Sequence, residues 1–262
     1  MSTVAILSKY VNESRKIAEK TAFKLGYPLV TMTDLVKAAA KEGNVTESEL
    51  SGALTDITLV HQLFRKRKMK LVSLLELALC EFMREKPIVF SGYVGYPIFQ
   101  EISHVLQVLV LGHPEDAGGR TGGKGSEKEL FSDDKILKWF KKIYQVDMED
   151  PNLYDLSINM WHMDESEAAD IIINTLKQPR FKPMTYSKKV MKDLQLAFHI
   201  KTKLIEKMPD VAVKSHDGTV YVYSKAFKRG QKKAAGTKQS IMWMDGVDYV
   251  EILKDQKSFD AV

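Results

Sequence analysis

Five short apolar runs, nearly unbroken by polar residues, are spaced along the first two thirds of the chain at 4–7, 28–30, 88–91, Val105–Leu111 and Leu156–Asn159. A strand that is apolar at successive positions, not alternate ones, must be covered on both faces. Helical periodicity fills the gaps, over 13–24, 33–41, 59–85, 134–144 and 165–177. This alternation predicts an α/β chain whose parallel sheet extends through residue 177, with the 8–16 loop at its carboxyl edge and the first strand inside the sheet. Two helix starts are marked by capping boxes, Thr46 with Glu49 and Asp164 with Glu167.

After residue 177 the pattern changes. Gln178-Pro179-Arg180-Phe181-Lys182-Pro183 carries two helix-stopping prolines and reads as a connection. Beyond it come an amphipathic helix over 187–208 and strands at 211–214 and Thr219–Tyr223, joined by His216-Asp217-Gly218. A basic helix near 230–243 and a last strand at 247–253 follow. Asp-Gly is a strong hairpin signal. The expected order is α-β-β-α-β, a small α+β domain. The expected boundaries are 1–178 for the first domain, 179–186 for the linker and 187–255 for the second.

Charge divides the same way. Residues 180–262 hold 17 Lys and Arg against 9 Asp and Glu, a net +8, within a chain of net +5, which leaves −3 on residues 1–179. Lys225, Lys228, Arg229, Lys232, Lys233 and Lys238 cluster in one stretch. They are expected on one exposed face, which is either a solvated surface or an attraction for an anionic surface or a second copy of the chain. The single cysteine, Cys80, has apolar flanks and reads as a buried, inert thiol, and one thiol without a partner fits a reducing, cytoplasmic setting. The first residues lack the basic start and apolar length of a leader, and no window has the ~18 apolar residues of a transmembrane segment.

The first strand runs into Ser8-Lys9-Tyr10-Val11-Asn12-Glu13-Ser14-Arg15-Lys16-Ile17-Ala18 and then a helix. Strand, loop and helix N-terminus together make the geometry of a phosphate cradle. Such a cradle needs glycines for close backbone approach, a lysine for charge and a Ser or Thr for magnesium. Ser8, Lys9, Ser14, Arg15 and Lys16 are the candidate phosphate or nucleotide contacts, the alternative for the cations being solvent-facing charge on the first helical turn.

These residues resemble the cytidylate-kinase-like family of P-loop proteins, whose first strand leads into a Ser-Arg-Gln-x-Gly-Ser-Gly-Gly-Arg-x-Ile-Ala loop. Ser8, Lys9, Arg15, Ile17 and Ala18 fall at matching places. The stretch Asp150-Pro151-Asn152-Leu153-Tyr154-Asp155-Leu156-Ser157-Ile158-Asn159 resembles the family's Asp-Pro-x-x-Tyr-Asp-Leu-x-Ile-Asn ending, and Ile88-Val89-Phe90-Ser91-Gly92 its central strand. The resemblance covers roughly 3–177. It implies a P-loop kinase fold and a nucleoside monophosphate kinase activity that uses ATP and Mg2+.

The departures fall on the phosphate contacts. The loop is one residue shorter, and Val11, Asn12, Glu13 and Ser14 stand where the family has glycines. Tyr93 replaces the arginine after the central glycine, and Asp134-Lys135-Ile136-Leu137 lacks the arginine of the family's Asp-x-x-Arg stretch. Phosphoryl transfer rests on positioning and charge stabilisation. The expected protein is therefore a degenerate, pseudokinase-like nucleotide or phosphate binder with a regulatory or scaffolding role. An active cytidylate-type transferase and an assembly module without ligand are the alternatives.

A second glycine-rich stretch, Gly118-Gly119-Arg120-Thr121-Gly122-Gly123-Lys124-Gly125-Ser126, has phosphate-loop spacing but does not leave its strand directly. It reads as a short lid over 113–128, or as a relocated cradle. Arg120 and Lys124 are candidate phosphate contacts in both readings. The basic run Arg65-Lys66-Arg67-Lys68-Met69-Lys70 reads as the wet side of a long helix, with nucleic acid or an acidic partner as its alternative. The six histidines show no metal-ligand spacing. The turns Asp217-Gly218-Thr219-Val220 and Asp245-Gly246-Val247 resemble those of BON domains, which implies lipid or small-ligand binding or assembly, with no catalytic residue to carry over.

Overall fold

The computed structural model describes residues 2–55, 62–112, 133–228 and 230–262. Its first sheet has five strands, β1 (Thr3–Leu7), β2 (Leu29–Thr31), β3 (Val89–Ser91), β4 (Val105–Leu111) and β5 (Leu156–Asn159), in the order β2-β3-β1-β4-β5. Every pairing is parallel, and β1 lies between β3 and β4 with Ala5 opposite Phe90 on one side and Gln107 on the other. The continuous apolar runs are explained by cover on both faces. Ala5 and Leu7 of β1 enter one core with α2 (Met32–Gly43), α3 (Glu47–Thr55), α4 (Gln62–Glu85) and α6 (Asp133–Tyr144). Val4 and Ile6 enter the other with α1 (Val11–Leu25) and α7 (Glu165–Leu176). A short α5 (Tyr96–Glu101), which sequence periodicity did not indicate, precedes β4.

Both expected capping boxes form. The Asp164 carboxylate accepts from the Ser166 and Glu167 amides while Glu167 accepts from the Asp164 amide. Thr46 and Glu49 exchange the same pair of bonds. The Asp150–Asn159 stretch is an anchor for β5. Asp150 accepts from the Asn152 amide at the start of a 3-10 turn, the Tyr154 hydroxyl donates to the Met148 carbonyl at 2.7 Å, and the Asp155 carboxylate accepts from the Gln107 amide at 3.0 Å. The chain thus enters β5 already tied to β4.

A second, three-stranded sheet follows, ordered β6 (Ala212–His216), β7 (Thr219–Tyr223) and β8 (Tyr249–Leu253). The β6–β7 hairpin is antiparallel, and β8 joins β7 in parallel. Asp217 and Gly218 both have positive φ, 45° and 78°, as a two-residue hairpin turn requires. Helices α8 (Thr185–Leu204), α9 (Gln231–Ile241) and α10 (Gln256–Asp260) complete this part. The α8 helix starts two residues before the expected position and ends four residues earlier. Its Met191 and Phe198 belong to the core beside α4, whereas its Ile200 and Leu204 belong to the core under the second sheet.

Candidate functional site

Only Ser8, Lys9 and Tyr10 separate the last residue of β1 from the first of α1. Each has a defined task. The Ser8 hydroxyl, buried, donates to the Val110 carbonyl of β4 at 2.8 Å and accepts from the Tyr10 amide at 3.0 Å. The Tyr10 ring lies across the end of β4, so close to Gly112 that a Cβ there would meet ring carbons at 2.4 Å. Glycine at 112 is what admits the ring. The Lys9 ammonium sits 5.0 Å from the centre of the Tyr10 ring and 2.8 Å from the Glu149 carboxylate. Burial pulls the Lys9 pKa down, but the hydrogen bond and charge of Glu149 outweigh it and hold the group above the usual lysine value.

The remaining candidates lie on the first turns of α1. The Ser14 side chain is buried, and its hydroxyl donates to the Val11 carbonyl at 3.1 Å within the helix. Arg15 bonds Glu19 one turn on, at 3.0 Å. Lys16 reaches Glu165 at the start of α7 at 3.8 Å, where Lys20 also arrives at 3.5 Å, and Lys24 bonds Asp170 at 2.7 Å. Lys16, Lys20 and Lys24 therefore form a seam of ion pairs towards α7. The turn brings Ser8 and Lys9 together over the carboxyl ends of β1 and β4 and leaves Arg15 and Lys16 on the helix flank. Arg120 and Lys124, with the whole 113–128 stretch, lie outside the described residues.

Glu149, Glu165 and Tyr10 went unnoticed in the sequence. Glu149 had a usable signal, since it directly precedes the Asp150-Pro151 anchor, and that anchor ends at the carboxyl side of β4. Tyr93, where the resemblance leads to the expectation of an arginine, is fully buried and meets Trp139 edge-on at 5.3 Å between ring centres. Trp139 in turn donates to the Ala53 carbonyl at 2.9 Å. The position serves the core.

Magnesium on a nucleotide would need a hydroxyl oxygen: the Ser8 hydroxyl already donates to Val110 and accepts from the Tyr10 amide, while the Ser14 hydroxyl donates into its own helix and keeps acceptor capacity but is buried. Among the described residues no group of three or more His, Cys, Asp or Glu side chains is arranged to hold a metal ion.

Outside the turn, the basic run of α4 has structural partners: Arg67 pairs with Glu49 and Lys70 with Glu206. Cys80 is buried, and burial pushes its thiol pKa well up, away from thiolate chemistry. Lys225, Lys228, Lys232 and Lys233 are exposed, Lys238 covers the Tyr249 ring at 4.7 Å, and Arg229 lies outside the described residues. Among the described residues no helix is long and apolar enough to cross a membrane.

Residues 3–162 match the profile of the Cytidylate kinase-like family. No curated protein matches the chain. Among solved structures, an uncharacterized protein from Eubacterium ventriosum ATCC 27560 is similar at 16% identity and a TM-score of 0.47, over 67% of this chain and 97% of that one. Shikimate kinase from Aquifex aeolicus VF5 is similar at 12% identity and a TM-score of 0.36, over 67% of this chain and 96% of that one.

Proposed function

The chain belongs to the cytidylate kinase-like family, and we propose that it is a catalytically silent member that binds a nucleotide or another phosphate ligand in a regulatory or scaffolding role. The observation that carries this reading is the three-residue turn, in which Lys9 is neutralised by Glu149 and Tyr10 fills the space beside Gly112. A phosphate arriving there must displace a carboxylate from the lysine, at a helix start where Val11, Asn12, Glu13 and Ser14 replace the glycines that let backbone approach it closely. Lys9 with Ser8 is the primary contact in this reading. Arg15 and Lys16 from α1, and Arg120 and Lys124 from the 113–128 stretch, supply the rest, while Ser14, buried and turned into its own helix, takes no part. Residues 1–178 form the kinase-like domain, 179–186 the linker and 187–255 the BON-like second domain, whose basic face attracts an anionic surface or a second copy.

The test is a coupled assay for ADP formation with CMP, dCMP, UMP and AMP, run beside calorimetric titration of ATP and CMP. Saturable binding without turnover, weakened in Lys9→Ala, is expected. Turnover well above background that disappears in Arg15→Ala would replace this reading with an active cytidylate-type kinase. No binding of any nucleotide would leave an assembly module.

A further inference from the structure

At the opposite edge of the first sheet, where the strands begin, the His104 carbonyl accepts from the Thr3 amide at 3.1 Å. The imidazole of His104 is 6% exposed, and its Nδ1 is buried with no hydrogen-bond partner. A buried polar atom without a partner is rare, because the desolvation it suffers is uncompensated. His104 lines a cavity of about 360 Å³ between the end of α4 and the start of α8, within the size range of small-molecule sites, ~300–1,000 Å³.

The lining has a distinct division. Arg84, Lys86, Lys188 and Lys192 supply four cations against one acid, Glu85. Met83, Pro87, Pro183 and Met191 supply apolar wall. Lys86, Lys188 and Lys192 make no ion pair among the described residues. Pro183 and Lys188 bracket the first turn of α8, so the positive end of a 20-residue helix adds to the same field. Four cations around a partly apolar hollow call for an anion of more than one charge with a small apolar body.

We propose that this cavity is a second ligand site, taking a phosphate monoester whose organic part is compact and apolar. The dianion meets the four cations beside the His104 ring, and the organic group lies against Met83 and Met191. Burial, with the positive charge of Lys188 nearby, holds the His104 pKa down to about 4, and a bound dianion would push it back up. Because α4 and α8 form the two walls, a ligand here ties the first sheet's core to the second part of the chain.

The experiment is histidine NMR on the full chain during titration with phenyl phosphate, with inorganic phosphate and benzoate as comparisons. The His104 signal is assigned by its loss in His104→Gln. A saturable shift of that signal with phenyl phosphate is expected. A tenfold or greater weakening should follow in the double variant Lys188→Ala/Lys192→Ala, whose side chains are exposed. Inorganic phosphate, lacking the apolar part, and benzoate, lacking the second charge, should each bind more weakly. Lys9→Ala should leave the titration unchanged, which separates this site from the β1–α1 turn. Absence of a saturable shift, equal affinity in the double variant, loss of the shift in Lys9→Ala, or benzoate or inorganic phosphate binding as tightly as phenyl phosphate would each overturn the proposal.

Discussion

The Lys9 ammonium and the Glu149 carboxylate meet at 2.8 Å over the carboxyl edge of the first sheet, where a phosphate of a bound nucleotide would need the lysine for itself. Glu149→Gln removes the competitor and keeps the shape. The pair is partly exposed, so its loss should change stability by no more than about 1 kcal/mol. Affinity for ATP or CMP should rise several-fold, measured by calorimetry. Unchanged affinity would mean that Lys9 is not a phosphate contact. Since the Lys9 pKa is raised, the pair's contribution to stability holds through the neutral range and is lost as alkaline pH removes the ammonium proton.

Placing an arginine at position 93 by Tyr93→Arg should not create a phosphate site. Tyr93 is enclosed by the core and packs edge-on against Trp139. A guanidinium placed there would put a charge into a packed aromatic core, which costs at least ~3 kcal/mol. The expected outcome is a large drop in melting temperature or insoluble protein, with no gain in ADP formation. A stable variant with new turnover would show that the position faces a ligand.

Glu76 of α4 is deeply buried, and burial, the largest influence, raises its carboxyl pKa although Lys201 and the Tyr144 hydroxyl both favour the ionised form. Tyr144 also accepts from the Gly95 amide at 3.1 Å, so the carboxyl belongs to a chain of polar groups crossing the core. An acid with a raised folded-state pKa keeps its proton at pH values where the unfolded chain has lost it. Stability therefore falls as pH rises above about 4.5 towards the folded-state value. Glu76→Gln should flatten this decline and be more stable than the parent at pH 7.5, with little difference at pH 4.5. Urea midpoints at the two pH values decide it, and a variant no more stable than the parent at pH 7.5 would contradict it.

Gly218→Ala should weaken the hairpin for two separable reasons. Its φ of 78° disfavours a side chain, and a Cβ would stand 2.2 Å from the Asp248 carboxylate oxygen. The combined loss should be roughly 1–3 kcal/mol. Adding Asp248→Ala should recover the contact part and leave the backbone part, as read from urea midpoints. Full recovery, or no loss at all, would show that the turn does not depend on the left-handed backbone.

How much of this was legible follows from where each cause lies along the chain. Val4–Leu7 announces an interior strand because both its neighbours and both its covering layers act on successive residues. The Asp164 and Glu167 cap is legible because its partners are three residues apart. The β5 anchor was readable as a motif, though not as the set of bonds from Asp155 to Gln107 that gives it a purpose. Lys9 and Lys16 were readable as cations, but Glu149 and Glu165, which engage them, are well over a hundred residues away and no local pattern links them. His104 gave no signal at all, since a lone histidine ahead of an apolar run looks the same whether its ring nitrogen is bonded or orphaned. The 187–208 helix read as having one apolar stripe; its actual two-sided burial explains why Val190, Met191 and Leu194 accompany Phe198 against one core while Leu196 joins Ile200 and Leu204 on the other.

That two-sided burial has a thermodynamic consequence. A chain cut after residue 178 would leave α4 and its neighbours without the cover of Met191 and Phe198, each worth on the order of 2 kcal/mol of apolar burial. The remaining piece would in turn carry that same oily stripe bare on its longest helix. Neither fragment has a finished exterior, so both should clump. The intact chain should melt in one sharp step, its two sheets failing together because they share a single beam.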